Sequence, residues 1–130
     1  SGYHGLIAAL EDFGSYEWGC FGEELEGADE DSIGSGYQNT LDMISGCSST
    51  DFGGITAAQA AINYNGGGYS DWYLPSKGEL DQMYLILEDL SSTWHWSSTE
   101  YSNSHAWNKY NDWSIANKNT HYMVRPIRSF

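Results

Sequence analysis

The segment DWYLPSKGELDQMYLILEDL, residues 71–90, contains the best-defined helix signal of the chain. Ser76 and Glu79 have the spacing of a capping box, in which each side chain accepts a hydrogen bond from the backbone of the other residue. Apolar residues then recur at intervals of three and four positions, at Leu80, Met83, Tyr84 and Leu87. The pattern predicts one amphipathic helix from Ser76 to about Leu90, with those four side chains packed inward.

Two further helices are expected before this segment. The alanine-rich stretch ITAAQAAINYNGGG predicts a helix that starts near Thr56 and ends at the glycines of residues 66–68. A shorter helix is expected from an N-cap at Asn39 or Thr40 to Gly46, because glycine is a common helix stop.

The sequence changes in character after Trp94. The stretches WHWSSTEY, SHAWNKY, WSIANK and HYMVRPIRS predict short strands with polar connections. One more short, buried strand is expected near the start of the chain, at Leu6–Leu10. We therefore predict a single domain over residues 1–130 of the α+β class, with two main helices at 56–64 and 76–90 and a small C-terminal antiparallel sheet.

The chain is strongly acidic, with a formal net charge of −13. Residues 1–51 contain eleven acidic residues and neither Lys nor Arg, whereas residues 101–130 contain four basic residues and one acidic residue. Nucleic-acid binding is not expected, because phosphate backbones require clustered basic residues. Direct membrane insertion is not expected either, since no apolar run approaches the roughly 20 residues that span a bilayer, and no signal peptide opens the chain.

No metal or other cofactor is expected. The two cysteines, Cys20 and Cys47, lack the spacing of a zinc site, and they form either a disulfide or two free buried thiols. The acidic run at residues 29–31 is more typical of a solvated loop than of a calcium site. The four histidines, His4, His95, His105 and His121, form no spaced metal-binding set.

The segment SNSHAWNKYNDWSIANKNTHY, residues 102–122, has an unusual composition. It contains five asparagines, four aromatic residues and two histidines. Tyr and Trp offer large rigid contact area, while Asn, Ser and His offer adaptable hydrogen bonds, as in antibody paratopes. This composition favours a binding surface over a packed core.

Several motifs resemble the DUF1566 family, also called the Lcl C-terminal domain, which has a C-type-lectin-like fold. They are GYHGLIAAL, WGCFG, IGSGYQNT, YSDWYLPSKGEL, HWSSTEYS with a following AW, and the terminal VRPIRSF. The resemblance implies surface adhesion and ligand binding. The family includes variable proteins of bacteria and phages, in which a retroelement rewrites a C-terminal repeat at adenines, mostly in AAY (asparagine) codons.

Residues 101–122 are the expected variable segment. All residues from 102 to 122 belong to the set that adenine changes in AAY codons produce, except Trp107, Lys109, Trp113 and Lys118. We expect exposed ligand-binding side chains at Tyr101, Asn103, His105, Asn108, Tyr110, Asn111, Trp113, Ile115, Asn117 and Asn119.

Two tryptophans and two arginines of the same region are expected to be structural. Trp96 and Trp107 are predicted core residues, so that Trp107→Ala costs about 3–5 kcal/mol. Alanine at Asn108, Tyr110 or Trp113 should cost less than roughly 1 kcal/mol. Arg125 and Arg128 are expected to form a structural ion pair, with an acid such as Glu100, or backbone hydrogen bonds.

The function predicted from these features is that of a non-enzymatic receptor or adhesin domain with a diversified binding surface. The alternative is an invariant adhesin that binds glycans. The ligand is expected to be a protein or glycan on another surface, and the domain to act outside the cytoplasm, on a bacterial cell surface or a phage particle. Oligomers are compatible with the resemblance, since trimers occur in the family. An enzyme is not expected, because the related formylglycine-generating enzymes use two cysteines late in the chain, and Cys20 and Cys47 are early.

Overall fold

The computed structural model describes residues 5–130, with Ser91 described by its backbone alone. His4 lies outside the described residues. The described chain contains three α-helices: α1 (Gly36–Gly46), α2 (Ala57–Asn63) and α3 (Lys77–Ile86). Its seven strands are β1 (Leu6–Ala8), β2 (Ser15–Glu17), β3 (His95–Glu100), β4 (His105–Lys109), β5 (Trp113–Asn117), β6 (His121–Met123) and β7 (Ile127–Ser129). The predicted α+β class is confirmed. None of the helices in this part of the chain has the length and apolar character needed to cross a membrane.

The strands form two sheets. Five strands lie in the order β2-β6-β3-β4-β5, and β1 pairs with β7 in a separate two-stranded sheet. The larger sheet is mixed, because β3 and β6 are parallel, with His95 opposite Met123. The sheet is built mostly from residues after Trp94, as expected, with β2 added from the start of the chain. The parallel β3–β6 pair departs from the expected antiparallel arrangement.

The capping box of α3 is confirmed. The Ser76 hydroxyl accepts a hydrogen bond from the Glu79 amide at 3.3 Å, and the Glu79 carboxylate accepts one from the Ser76 amide at 2.9 Å. The helix ends at Ile86, earlier than expected, because Leu87 has the extended backbone angles φ −109° and ψ 103°. A short 3₁₀ helix at Glu88–Ser92 follows and brings Leu90 into the core.

Helix α1 is longer than expected and begins at Gly36 with Ser35 as N-cap. Asn39 and Thr40 do not cap it, because both are buried and bind other parts of the chain. The Asn39 amide donates to the Glu30 carbonyl at 2.6 Å, and the Thr40 hydroxyl accepts from the Leu74 amide at 3.1 Å. The helix that was expected to be short is thus the longest of the three α-helices in the described chain.

Two apolar clusters form the core. The larger one lies between α1, α2 and the five-stranded sheet and includes the fully buried Trp18 and Trp96. The smaller one lies between α3 and the β1–β7 sheet and includes Leu80 and Met83 as predicted, with Tyr84 and Leu87 partly buried beside it. Strand β1 ends at Ala8, and Leu10, expected in a buried strand, is 94% exposed.

A disulfide joins Cys20 to Cys47, with 6.0 Å between the Cα atoms. It settles the choice that the sequence left open between a bridge and two free thiols. The bond ties the residue that follows α1 to the loop after β2.

A polar network lies between α3, β3 and the segment before β7. The buried His95 ring contacts the Tyr84 hydroxyl at 3.0 Å and the Asp12 carboxylate at 2.8 Å. The Arg125 guanidinium donates to Asp12 at 2.8 Å and also binds Asp89. Burial favours a raised pKa for Asp12, but the hydrogen bonds and positive charge of His95 and Arg125 hold its pKa below the ordinary value of 3.8.

Candidate ligand-binding face

Strands β4 and β5 present three opposed residue pairs on one surface. Directly opposed residues of an antiparallel pair point to the same face of the sheet. The pairs are His105 with Asn117, Trp107 with Ile115, and Lys109 with Trp113. We call this surface the β4–β5 face. The alternate residues Ala106 and Ala116 point the other way and pack against the larger core cluster.

Three aromatic rings occupy the middle of this surface. The ring centroids of Tyr101 and Trp107 are 5.4 Å apart, and those of Trp107 and Trp113 are 6.4 Å apart. Both pairs are close to perpendicular, which is a favoured edge-to-face arrangement. Tyr101 is 55% exposed, and the two tryptophans are half-buried. The cluster is therefore open to solvent chiefly at Tyr101, while Trp113 also packs against the smaller core cluster.

Two lysine ammonium groups lie over these rings. The Lys77 Nζ atom is 3.8 Å from the centroid of Trp107 and 5.1 Å from that of Trp113. The Lys109 Nζ atom is 4.7 Å from the centroid of Trp113. These distances lie within the range of cation–π attraction, which adds roughly 0.5–1 kcal/mol at exposed sites. The surface is thus aromatic and carries the positive charge of Lys77, on a protein that is acidic overall, whereas the Lys109 side chain is buried and paired with Asp81.

The two lysines differ in their acidic partners. The Lys109 ammonium forms an ion pair with Asp81 at 3.2 Å. Asp81 lies four positions after Lys77 on α3, where it would otherwise suit an ion pair with Lys77. Within the described part of the chain, the Lys77 ammonium forms no ion pair.

The other basic residues are neutralised elsewhere. Lys118 is buried and binds Glu100 at 2.6 Å. Arg128 binds Asp71 at 2.7 Å and Arg125 binds the acids of the polar network. The expected structural role of both arginines is confirmed by these ion pairs, and Arg125 also donates to the Ala9 carbonyl at 3.2 Å. Glu100, the acid named as an example, pairs with Lys118 instead.

The ten residues expected to bind a ligand do not lie together. Those on or beside the β4–β5 face are Tyr101, His105, Trp113, Ile115 and Asn117. Asn103 is exposed in the β3–β4 loop, and Asn111 is exposed in the β4–β5 turn. In the same turn, the Tyr110 ring packs against Trp94 at 5.3 Å. The Asn119 amide lies away from this face and donates to Asp51 at 3.0 Å.

The expected exposure of Asn108 is wrong. Its side chain is fully buried, and its amide oxygen and nitrogen have no hydrogen-bond partner among the described residues. Asn108 lies opposite Trp96 on one side and Ser114 on the other, on the inward face of the sheet. Since neighbouring strand residues alternate in direction, Asn108 and Trp107 cannot both be exposed.

The expected core position of Trp107 is also wrong, whereas that of Trp96 is confirmed. Trp96 is fully buried, and its indole nitrogen donates to the Tyr16 carbonyl at 2.8 Å. Trp107 belongs to neither core cluster and contacts Tyr101, Trp113 and Lys77 instead. The same alternation that buries Asn108 turns Trp107 outward.

Lys77 and Lys109 were not among the ligand-binding residues expected from the sequence. Lys109 could have been found, because it alternates with Trp107 and His105 along a strand. Lys77 had no such signal, since only the packing of α3 against β3 and β4 brings it there. The Lys77 amide donates to the Thr99 hydroxyl at 3.0 Å, which fixes the start of α3 against β3.

One group of metal-ligand type is found in the described residues. Cys20, Glu23 and Cys47 bring their ligand atoms within 4.8 Å of one another. The two sulfur atoms form the disulfide, so neither is a thiolate ligand. The acidic residues 29–31 belong to no such group, and their backbone instead anchors the loop, as when the Asp31 carbonyl accepts from the Gly78 amide at 2.7 Å.

Comparison of the sequence with protein-family models and with curated proteins finds no match.

Proposed function

We propose that this chain is a C-type-lectin-like domain of the DUF1566 family and that it binds ligands through the β4–β5 face. The observation that carries the proposal is the open aromatic cluster of Tyr101, Trp107 and Trp113 on a hydrogen-bonded sheet. Half-exposed tryptophans supply large contact area that needs little ordering when a ligand arrives. Asn and His side chains at the border of the cluster supply hydrogen bonds. The domain is a binder and not an enzyme.

The variable-protein assignment is supported by where four residues lie. These are the residues of the segment that adenine changes in AAY codons cannot produce. Lys118 is buried against Glu100 and serves the scaffold. Trp107, Lys109 and Trp113 lie together at the centre of the proposed site. Accessible residues that such changes do produce, among them His105 and Asn117, lie around that centre. This arrangement suits a constant centre with a diversified border.

Location outside the cytoplasm, on a bacterial surface or a phage particle, is part of the proposal. The Cys20–Cys47 disulfide supports it, because such bonds persist in oxidising compartments. The partner is a protein or glycan on another surface. A fixed adhesin that binds glycans is the second candidate, favoured by the exposed Tyr101 ring, which suits stacking against a sugar.

The coding DNA tests diversification directly. A near-copy of the sequence for the C-terminal strands, beside a reverse transcriptase gene and differing only at adenines, establishes the variable protein. A locus without such a copy rejects it and favours the fixed adhesin.

Binding to glycan and protein arrays tests the site. Tyr101→Ala should abolish binding to the array ligands that the unaltered chain retains. Phe52→Ala is the matched control, since Phe52 is also a highly exposed aromatic residue but lies in another part of the chain. If Tyr101→Ala binds as well as Phe52→Ala does, the β4–β5 face is not the site.

A further inference from the structure

The Lys77 ammonium is the starting point for an inference about the class of ligand, which rests on the proposed function. It is held over Trp107 and has no carboxylate partner in the described part of an acidic protein. Asp81, the acid one turn along the same helix, is engaged by Lys109. A positive charge held in this way is available to an incoming anion, and a charge-assisted hydrogen bond to it is stronger than a neutral one.

The positive charge of Lys77 should stay the same when the variable segment changes. Lys77 lies on α3, outside the variable segment, and Trp107 and Trp113 are not products of adenine changes in AAY codons. These three residues and Lys109 form what we call the constant patch. A constant patch recognises a chemical feature that different ligands share, while its changing border selects among them.

The overall charge limits how large that anionic feature is. With a formal net charge of −13, the chain repels extended polyanions at long range. The local positive charge open to a ligand is that of Lys77, since Lys109 is buried and paired with Asp81. The patch therefore suits one carboxylate on a short or neutral ligand.

The shape of the surface favours a sugar over a protein side chain. Side-chain anchors of protein partners fill pockets, and two cavities of the described chain, one beside Tyr69 and Trp72 and another beside Gly5 and Phe130, have no residue of the constant patch in their lining. The constant patch is bordered instead by the exposed ring of Tyr101, against which the C–H face of a sugar can stack. Lys77 and Tyr101 both contact the Trp107 ring, which makes Trp107 the link between the charge and the exposed aromatic ring.

We propose that the constant patch binds a sugar ring that carries a carboxylate, with Lys77 pairing with the carboxylate and Tyr101 stacking on the ring. Uronic acids and sialic acids share this chemistry. The two sources differ in how the carboxylate is attached, and the experiment separates them.

Calorimetric titration with defined sugars tests the proposal. The probes are trigalacturonate with its neutral methyl ester, and sialyllactose with lactose. At least one acidic sugar should bind, and its neutral counterpart should bind at least about tenfold more weakly. Lys77→Gln should cause a similar loss, and Lys77→Arg should retain binding because it keeps the charge. Arg128→Gln is the control, since it removes one positive charge that Asp71 pairs outside the patch, and it should change affinity by less than about twofold.

Three results overturn the proposal. The first is that neither acidic sugar binds at millimolar concentration. The second is that an acidic sugar and its neutral counterpart bind equally. The third is that a hexaglutamate peptide binds through Lys77 while both sugars do not, which assigns the patch to acidic peptides. Thermal melts of the Lys77 variants exclude misfolding as the cause. If the array ligands still depend on Tyr101 in any of these cases, the proposed function stands and only the acidic-sugar inference fails.

Discussion

Trp96 and Trp107 lie on neighbouring strands but point to opposite faces of the sheet, and alanine at each position removes different contacts. Trp96 is fully buried beside Trp18 and Ala106, so Trp96→Ala should cost about 3–5 kcal/mol of unfolding free energy. Trp107→Ala should cost roughly 1–2 kcal/mol, because it removes half-buried ring contacts and the cation–π contact with Lys77. Urea unfolding of both variants measures the difference. Equal losses would mean that Trp107 is a core residue.

Asn108 offers a second test at the scale of a single residue. Its amide is buried without a hydrogen-bond partner among the described residues, and an unpaired buried polar group costs about 1–3 kcal/mol. Asn108→Leu, which has a similar shape, should therefore leave stability unchanged or raise it by roughly 1 kcal/mol. Asn111→Leu in the exposed turn is the control and should have little effect. A clear loss of stability in Asn108→Leu would show that the amide is satisfied in solution.

Asn108 also shows how far the sequence predicts the site. The composition of residues 102–122 drew attention to β4 and β5, whose surface carries an aromatic cluster that includes Tyr101, exposed as expected, and Trp113. The choice between Trp107 and Asn108 depends on which face of β4 is buried. That choice is set by pairing with β3 and β5, and no residue within β4 itself encodes it.

At the scale of elements, the polar network ties β3 to the segment before β7, and its stability depends on pH. The pKa of Asp12 is lowered in the folded chain, where His95 and Arg125 bind the carboxylate. A lowered pKa contributes stability that is present above the unfolded value, near 3.8, and is lost as the pH falls through the lower folded value. Unfolding free energy should therefore decrease as the pH drops below about 4.

Asp12→Asn tests this pH dependence. The variant should be less stable at pH 7, since Arg125 and His95 lose their shared partner, and its stability should fall less between pH 5 and pH 3. Asp112→Asn, in an exposed turn, is the matched control and should keep the slope of the unaltered chain. A slope that Asp12→Asn leaves unchanged would place the acid sensitivity in another carboxylate. Urea unfolding across this pH range gives the slopes.

Helix ends that are set by local side chains could be predicted from the sequence, whereas helix ends that are set by tertiary contacts could not. The start of α3 is encoded locally by Ser76 and Glu79, and it appears where expected. Its end has no glycine stop, and Leu87 leaves the helix where the following turn packs Leu90 into the core. The start of α1 was misplaced because Asn39 and Thr40, which have the chemistry of caps, bind Glu30 and Leu74. Tertiary contacts override local signals at both sites.

At the scale of the whole molecule, the two ends of the described chain are joined in ways that local patterns do not encode. Strand β1 pairs with β7, with Ile7 opposite Arg128, and β6 inserts between β2 and β3. The sequence predicted most of the strands and the α+β class, but these pairings connect residues more than 100 positions apart. Such pairings depend on how the complete hydrophobic surface is buried. The alternating pattern of a short strand does not determine which other strand it pairs with.

The disulfide is a covalent link between two distant parts of the chain, and its removal should lower stability. Cys20 and Cys47 are separated by 27 positions, and closing a loop of that length stabilises a fold by about 3 kcal/mol, chiefly by restricting the unfolded chain. The double variant with Cys20→Ala and Cys47→Ala should lose roughly that amount in urea unfolding. A reducing agent should destabilise the unaltered chain similarly and leave the double variant unaffected.

Thiol titration of the denatured, unreduced chain is the control and should detect no free thiol, since both cysteines are bonded. Two titratable thiols, or a double variant as stable as the unaltered chain, would show that the bridge does not hold the loop after β2 to the end of α1.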